Sequence, residues 1–136
     1  MTFKKIILTS LAVVATLLSG STSVSAAEKE TPVFLFGLSR SLNDSTVYMT
    51  EIQLMSTATI NTSNKFLLNR DKYSEQLTEY LEKQGVDYPT TITEYSTSRN
   101  KAEKKFLKMR NKFMREGSFE LKIITTDTFQ YTPLEK

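Results

Sequence analysis

The chain has no cysteine, no histidine and no tryptophan. Without cysteine there is no disulfide framework and no thiol nucleophile, so the fold must stand on its own apolar core. Without histidine the commonest general base and metal ligand is gone, and a Ser-His-Asp arrangement is impossible. Only four glycines occur, and none builds a phosphate-cradling loop. Asn43-Asp44 resembles the start of a cation loop, but the later acidic ligands and closing Glu of a calcium hand do not follow, so a turn is expected. Ser-Lys chemistry would need a serine beside a desolvated lysine, and five of the thirteen lysines fall on one exposed helix face. Nothing implies a cofactor or a metal. The expectation is a non-enzymatic protein. The alternative is a small hydrolase that cleaves an envelope polymer with paired carboxylates. Against it, Glu75, Glu79 and Glu82 fall on the outside of a helix, where solvation and pairing explain them.

What is present begins with an export signal. Lys4 and Lys5 open the chain, Ile6 to Leu18 is apolar apart from Thr9, Ser10 and Thr16, and Val24-Ser25-Ala26 gives a small-x-small site. A positive start, an apolar core of about 7–15 residues and such a site are the parts of a secretory signal. The core is short of the roughly 20 residues that a membrane span needs. Residues 1–26 are therefore read as a cleaved signal peptide, with cleavage after Ala26 or Ala27 and a periplasmic or secreted product. No transmembrane segment is expected after cleavage. Removal of residues 1–26 leaves 110 residues, a single domain. It also lowers the basic count from 18 to 16 against 15 acids, taking the formal charge from +3 to +1. Bulk charge then gives no reason to expect nucleic acid.

Along the mature chain, residues 27–32 read as a flexible leader, 33–129 as one α+β domain and 130–136 as a tail. Val33 to Phe36 is a continuous apolar run, expected as a buried strand. Thr46 to Leu54 is a second strand, rich in branched and aromatic side chains, and the Ser/Thr/Asn-rich stretch from Ser56 to Asn64 reads as a loop. Asn69 to Gln84 is a helix whose Tyr73, Leu77, Tyr80 and Leu81 share one face. Asn69 or Asp71 is its expected cap, Glu79–Lys83 an expected outer pair and Gly85 its stop. Thr90 to Tyr95 is a third strand, Arg99 to Glu116 a second helix ended by Gly117, and Phe119 to Thr125 a last strand. The order is ββαβαβ. It suggests a four-stranded, mainly antiparallel sheet with both helices packed on one face.

The sharpest pattern lies on the second helix. At about 100° per residue, Ala102, Phe106, Met109 and Phe113 form the core stripe, with Leu107 and Met114 widening the apolar side. Lys101, Lys104, Lys105, Lys108, Lys112 and Arg115 share another arc about 100° wide. Only Glu103 is acidic between Arg99 and Arg115, against eight basic residues. Lysines solvate a helix face well, yet like charges at i, i+4 cost a few tenths of a kcal/mol each, a cost that a mixed face avoids. The ridge is the candidate binding face, for an anionic envelope polymer, a membrane surface or an envelope protein. No aromatic residue is interleaved with it, so a base-stacking platform is not expected. Of the tyrosines that could line a sugar platform, Tyr73 and Tyr80 fit the core stripe better.

Phe36-Gly37, Asn43-Asp44-Ser45-Thr46-Val47-Tyr48, Lys65-Phe66-Leu67, Arg70-Asp71-Lys72-Tyr73-Ser74, Gln76-Leu77 and Asn100-Lys101-Ala102-Glu103-Lys104-Lys105-Phe106 together resemble a group of small exported proteins of the Bacteroidales type. The resemblance spans most of the mature chain. It implies the compartment and carries no catalytic or binding residue. The final strand–helix–strand is also similar in plan to half of a SPOR domain, a fold that binds peptidoglycan glycan strands stripped of their peptides. The strand order departs from that plan, because nothing helical lies between the first and second strands here.

Overall fold

The computed structural model describes residues 27–134. The export segment read in residues 1–26 lies outside them. The fold is α+β, with two helices and a mixed sheet of five strands. Strand β1 (Glu28–Ser41), β2 (Thr46–Thr50) and β3 (Gln53–Asn61) come first; α1 (Arg70–Lys83), β4 (Pro89–Ser96), α2 (Arg99–Glu116) and β5 (Glu120–Ile124) follow.

Five strands rather than four arise because the second strand is interrupted. β2 and β3 both pair antiparallel with the same edge of β1, in registers Leu38↔Met49 and Leu35↔Gln53. Between these pairs two residues of β1 face three of the partner, so a bulge at Thr50–Ile52 splits what would be one strand. The Ser/Thr-rich stretch expected as a loop is instead most of β3. The expected leader is likewise strand: Glu28 to Thr31 pair with Asn61 to Ala58. Backbone pairing outweighs the polar composition of both segments, because each supplies the other's hydrogen bonds.

β4 covers the opposite edge of β1, with Leu38↔Ile92 in register. β5 lies outside β2 and runs parallel to it. The sheet is therefore mixed rather than mainly antiparallel, with β4, β1, the β2–β3 lane and β5 side by side. β3, β4 and β5 all run antiparallel to β1, so α1 and α2 are both crossovers between parallel strands. The first moves across the sheet from β3 to β4; the second moves back from β4 to β5. Crossovers of one hand that travel in opposite directions must lie on opposite faces. The two helices accordingly pack on opposite faces, not on one.

Each face has its own core. β1 alternates between them, which is why its apolar run is continuous. Val33 and Leu35 point to the α1 side, with Tyr73, Leu77, Leu81 and Ile124. Phe36 and Leu38 point to the α2 side, with Val47, Met49 and Phe113. On the α1 side, Ser74 and Thr78 lie one turn apart and bond Thr93 and Thr91 of β4, through hydroxyls 2.7 and 2.9 Å apart. The Thr91 hydroxyl in turn meets that of Ser39 at 2.8 Å. α1 is thus seated by apolar contact and by a ladder of hydroxyls.

Residues 130–134, within the stretch expected as a tail, form a strap over the same face together with Phe129. Phe129 and Tyr131 are buried. The Gln53 side chain donates to the Phe129 carbonyl (2.9 Å) and accepts from the Tyr131 N–H (2.8 Å). Gln76 grips Thr132 in the same way, at 3.0 and 2.8 Å. Two glutamine amides thereby replace the strand partner that Pro133 helps to deny this segment. The Tyr131 hydroxyl reaches the bulge at Gly37, where an added Cβ would sit 2.2 Å from it and 2.5 Å from Leu77. Burial pushes its pKa well above the usual 10, and the nearby Thr50 and Thr93 hydroxyls pull it partly back. Neither closes a hydrogen bond with it.

At the helix ends, Gly85 and Gly117 adopt left-handed φ values of 89° and 68°, as their positions suggest. Asn69 does not cap α1 with its side chain; it is left-handed itself and accepts the Lys72 N–H through its carbonyl. The Glu79–Lys83 pair is not formed among the described residues; Lys72 and Glu75 approach to 3.7 Å instead.

Candidate functional site

Ser98 caps α2: its backbone is extended and its side-chain oxygen accepts the Lys101 N–H at 3.4 Å. Its inner stripe is the one expected. Ala102 and Phe113 are buried, and Phe106 and Phe113 meet Phe36 and Phe119 edge to face at 5.3 and 5.6 Å. Those contacts fix the rotation of the helix and so fix what points outward. Leu107 and Met114 do not widen the core; both are exposed, flanking the basic arc.

All six ridge residues, Lys101, Lys104, Lys105, Lys108, Lys112 and Arg115, are exposed. They divide by partner. The Lys105 ammonium donates to the Tyr95 carbonyl at 2.9 Å and lies 5.6 Å from the centre of its ring. Arg115 bonds the Asn111 carbonyl in the last turn, and Lys112 lies 5.8 Å over the Phe113 ring. The side chains of Lys101, Lys104 and Lys108 make no hydrogen bond or ion pair among the described residues. The two ion pairs there, Arg70–Glu94 and Lys72–Glu75, leave the ridge un-neutralised.

Lys105 has a second duty. β4 is an edge strand, and an open edge invites foreign strands. Arg70 donates to the Thr93 carbonyl and Lys105 to the Tyr95 carbonyl. Cations from the two helices thus close this edge from both faces. The sequence pattern could not separate this lysine from its neighbours, because the distinction rests on where β4 ends.

Between α2 and β4 lies a groove of about 530 Å³. Leu38, Ile92, Met109 and Phe113 supply its apolar surface, and Lys105, Lys108 and Lys112 its rim. Leu38 and Ile92 also line a second groove of about 380 Å³ beside Leu42 and Arg40, so the two adjoin at these side chains. Ile92 is 41% exposed and Leu42 is 82% exposed. Sequence reading missed this site. The one signal for it is the alternation Thr91-Ile92-Thr93, which puts an isolated apolar side chain on the face away from the threonines.

The acids are dispersed. Glu94 is held by Arg70 at 3.0 Å. Glu51 accepts from the Thr126 N–H and hydroxyl at 2.8 and 3.1 Å. Asp44 accepts the Thr46 N–H at 2.8 Å, the geometry of a turn. Among the described residues, no three acidic side chains gather. Of the tyrosines, Tyr73 and Tyr131 meet edge to face in the core at 6.0 Å, and Tyr95 bonds the Lys65 carbonyl. No helix among the described residues is long and apolar enough to cross a membrane. No family model, curated protein or solved structure matches the chain.

Proposed function

We propose that this is a non-enzymatic binding module of the bacterial cell envelope, which holds an anionic envelope polymer against the basic face of α2. The observation that carries the reading is the solvated trio Lys101, Lys104 and Lys108. Three like charges stand on one helix, none of them ion-paired among the described residues, on a mature domain of formal charge +1. Their mutual repulsion is a standing cost that an anion would relieve. The export signal read in residues 1–26 supplies the compartment, and in the envelope polyanions are abundant.

The test is co-sedimentation with purified sacculi and with anionic lipid vesicles, comparing the chain with Lys101→Glu/Lys104→Glu/Lys108→Glu. Lys105 is left in place because it closes the sheet edge. Retention on sacculi should fall roughly tenfold or more in the variant. For the unaltered chain it should weaken as salt shortens the Debye length below about 8 Å. Retention on sacculi that is unchanged by charge reversal overturns the reading. Retention confined to vesicles replaces the polymer with a membrane surface.

A further inference from the structure

We propose that the groove between α2 and β4 binds a single-chain anionic amphiphile, a linear acyl chain ending in a carboxylate. This goes beyond the ridge reading and shares only part of its lysines. Three observations converge on that occupant. The floor is apolar, and Ile92 stands half in water on a sheet face that α2 leaves uncovered. The rim is cationic: Lys105 is committed to the Tyr95 carbonyl, leaving the ammonium groups of Lys108 and Lys112 for a carboxylate. Of the acids along this surface, Glu94 is paired with Arg70 at 3.0 Å, and Asp44 lines only the Leu42 end, outside the groove that the lysines rim.

The shape favours a chain over a compact ligand. The second groove adjoins this one at Leu38 and Ile92 and reaches Leu42, so a tail anchored at the lysines has apolar side chains to follow along the strand face. Its volume lies within the roughly 300–1,000 Å³ of small-molecule sites. The carboxylate would take charge-assisted hydrogen bonds from Lys108 and Lys112. The tail would cover Ile92 and run along the strand face. The surface polymer of the ridge reading needs neither Leu38 nor Ile92.

The experiment is calorimetric titration of the full chain with decanoate, with decanol as the uncharged tail and acetate as the tailless charge. Decanoate is expected to bind saturably at one per chain, with decanol at least roughly tenfold weaker and acetate giving no saturable heat. Ile92→Trp fills the groove and should weaken decanoate at least about tenfold while leaving sacculus retention intact. Ile92→Thr, which keeps a β-branched strand residue, serves if the larger side chain unfolds the protein. Lys101→Glu/Lys104→Glu should do the reverse, sparing decanoate and losing sacculi. Absence of saturable decanoate binding overturns the proposal. So does affinity unchanged in a folded Ile92 variant, or equal affinity for decanol.

Discussion

The two faces of the sheet share their five strands and differ in how they are closed. Under α1, apolar side chains, a hydroxyl ladder and the strap held by Gln53 and Gln76 cover most of the surface, leaving a groove of about 340 Å³ between Tyr80 and Ile124. Under α2 the cover is a narrow aromatic stripe, with a groove left beside it and a one-sign ridge above. Marginal stability forces such a division of labour. A domain of this size has only about 5–15 kcal/mol of net stability, so a face with unrelieved charge and wetted isoleucine needs a well-packed face behind it. On the reading proposed above, the α1 side carries more of the fold and the α2 side is the one left for contacts.

The largest effect that would sharpen this contrast is Leu77→Ala. Leu77 is fully buried against Gly37 and the strap, so chemical denaturation should show a loss of about 2–5 kcal/mol. Ile92→Ala, on the other face, should cost less than about 1 kcal/mol, because that side chain is already partly wet. Similar losses at both sites would break the comparison. Gly37→Ala comes next, at about 1–3 kcal/mol, since its Cβ would drive the Tyr131 hydroxyl or Leu77 off its place.

Tyr131→Phe is smallest and opposite in sign. It removes a buried hydroxyl that closes no hydrogen bond, and should stabilise by up to about 1 kcal/mol. It also carries a pH signature. The folded-state pKa of Tyr131 is raised, so its contribution as a neutral phenol is complete below its ordinary value of 10.0 and is lost as pH climbs toward the folded value. Burial raises Tyr73 in the same direction. Stability should therefore fall above about pH 10, and the fall should be shallower in Tyr131→Phe. An unchanged alkaline slope would count against the buried phenol.

The sequence made the helices legible to within a residue or so, because Tyr73-Leu77-Leu81 and Ala102-Phe106-Met109-Phe113 repeat on one face and Gly85 and Gly117 stop them. Strands were legible where apolar residues cluster, as in Val33–Phe36. They were hidden where polar residues predominate, as in Glu28–Thr31 and in Ser56–Asn61, of which Ala58 and Ile60 reach the core. The opposite placement of the helices follows from strand order, a nonlocal property that periodicity does not encode. The strap was hidden for a similar reason: Gln53 and Gln76 are unremarkable until the chain end is brought to them. The ridge was visible as six residues. Its division into solvated lysines and a lysine that closes the sheet edge needed the position of Tyr95.

The most direct measurement pairs two readouts on Lys101→Glu/Lys104→Glu/Lys108→Glu: the thermal midpoint and retention on purified sacculi. If the α2 face is for contact and the α1 face for stability, the variant should unfold within about 0.5 kcal/mol of the unaltered chain, and it should lose its retention. A variant that melts early, or one that stays folded and is retained undiminished, contradicts it.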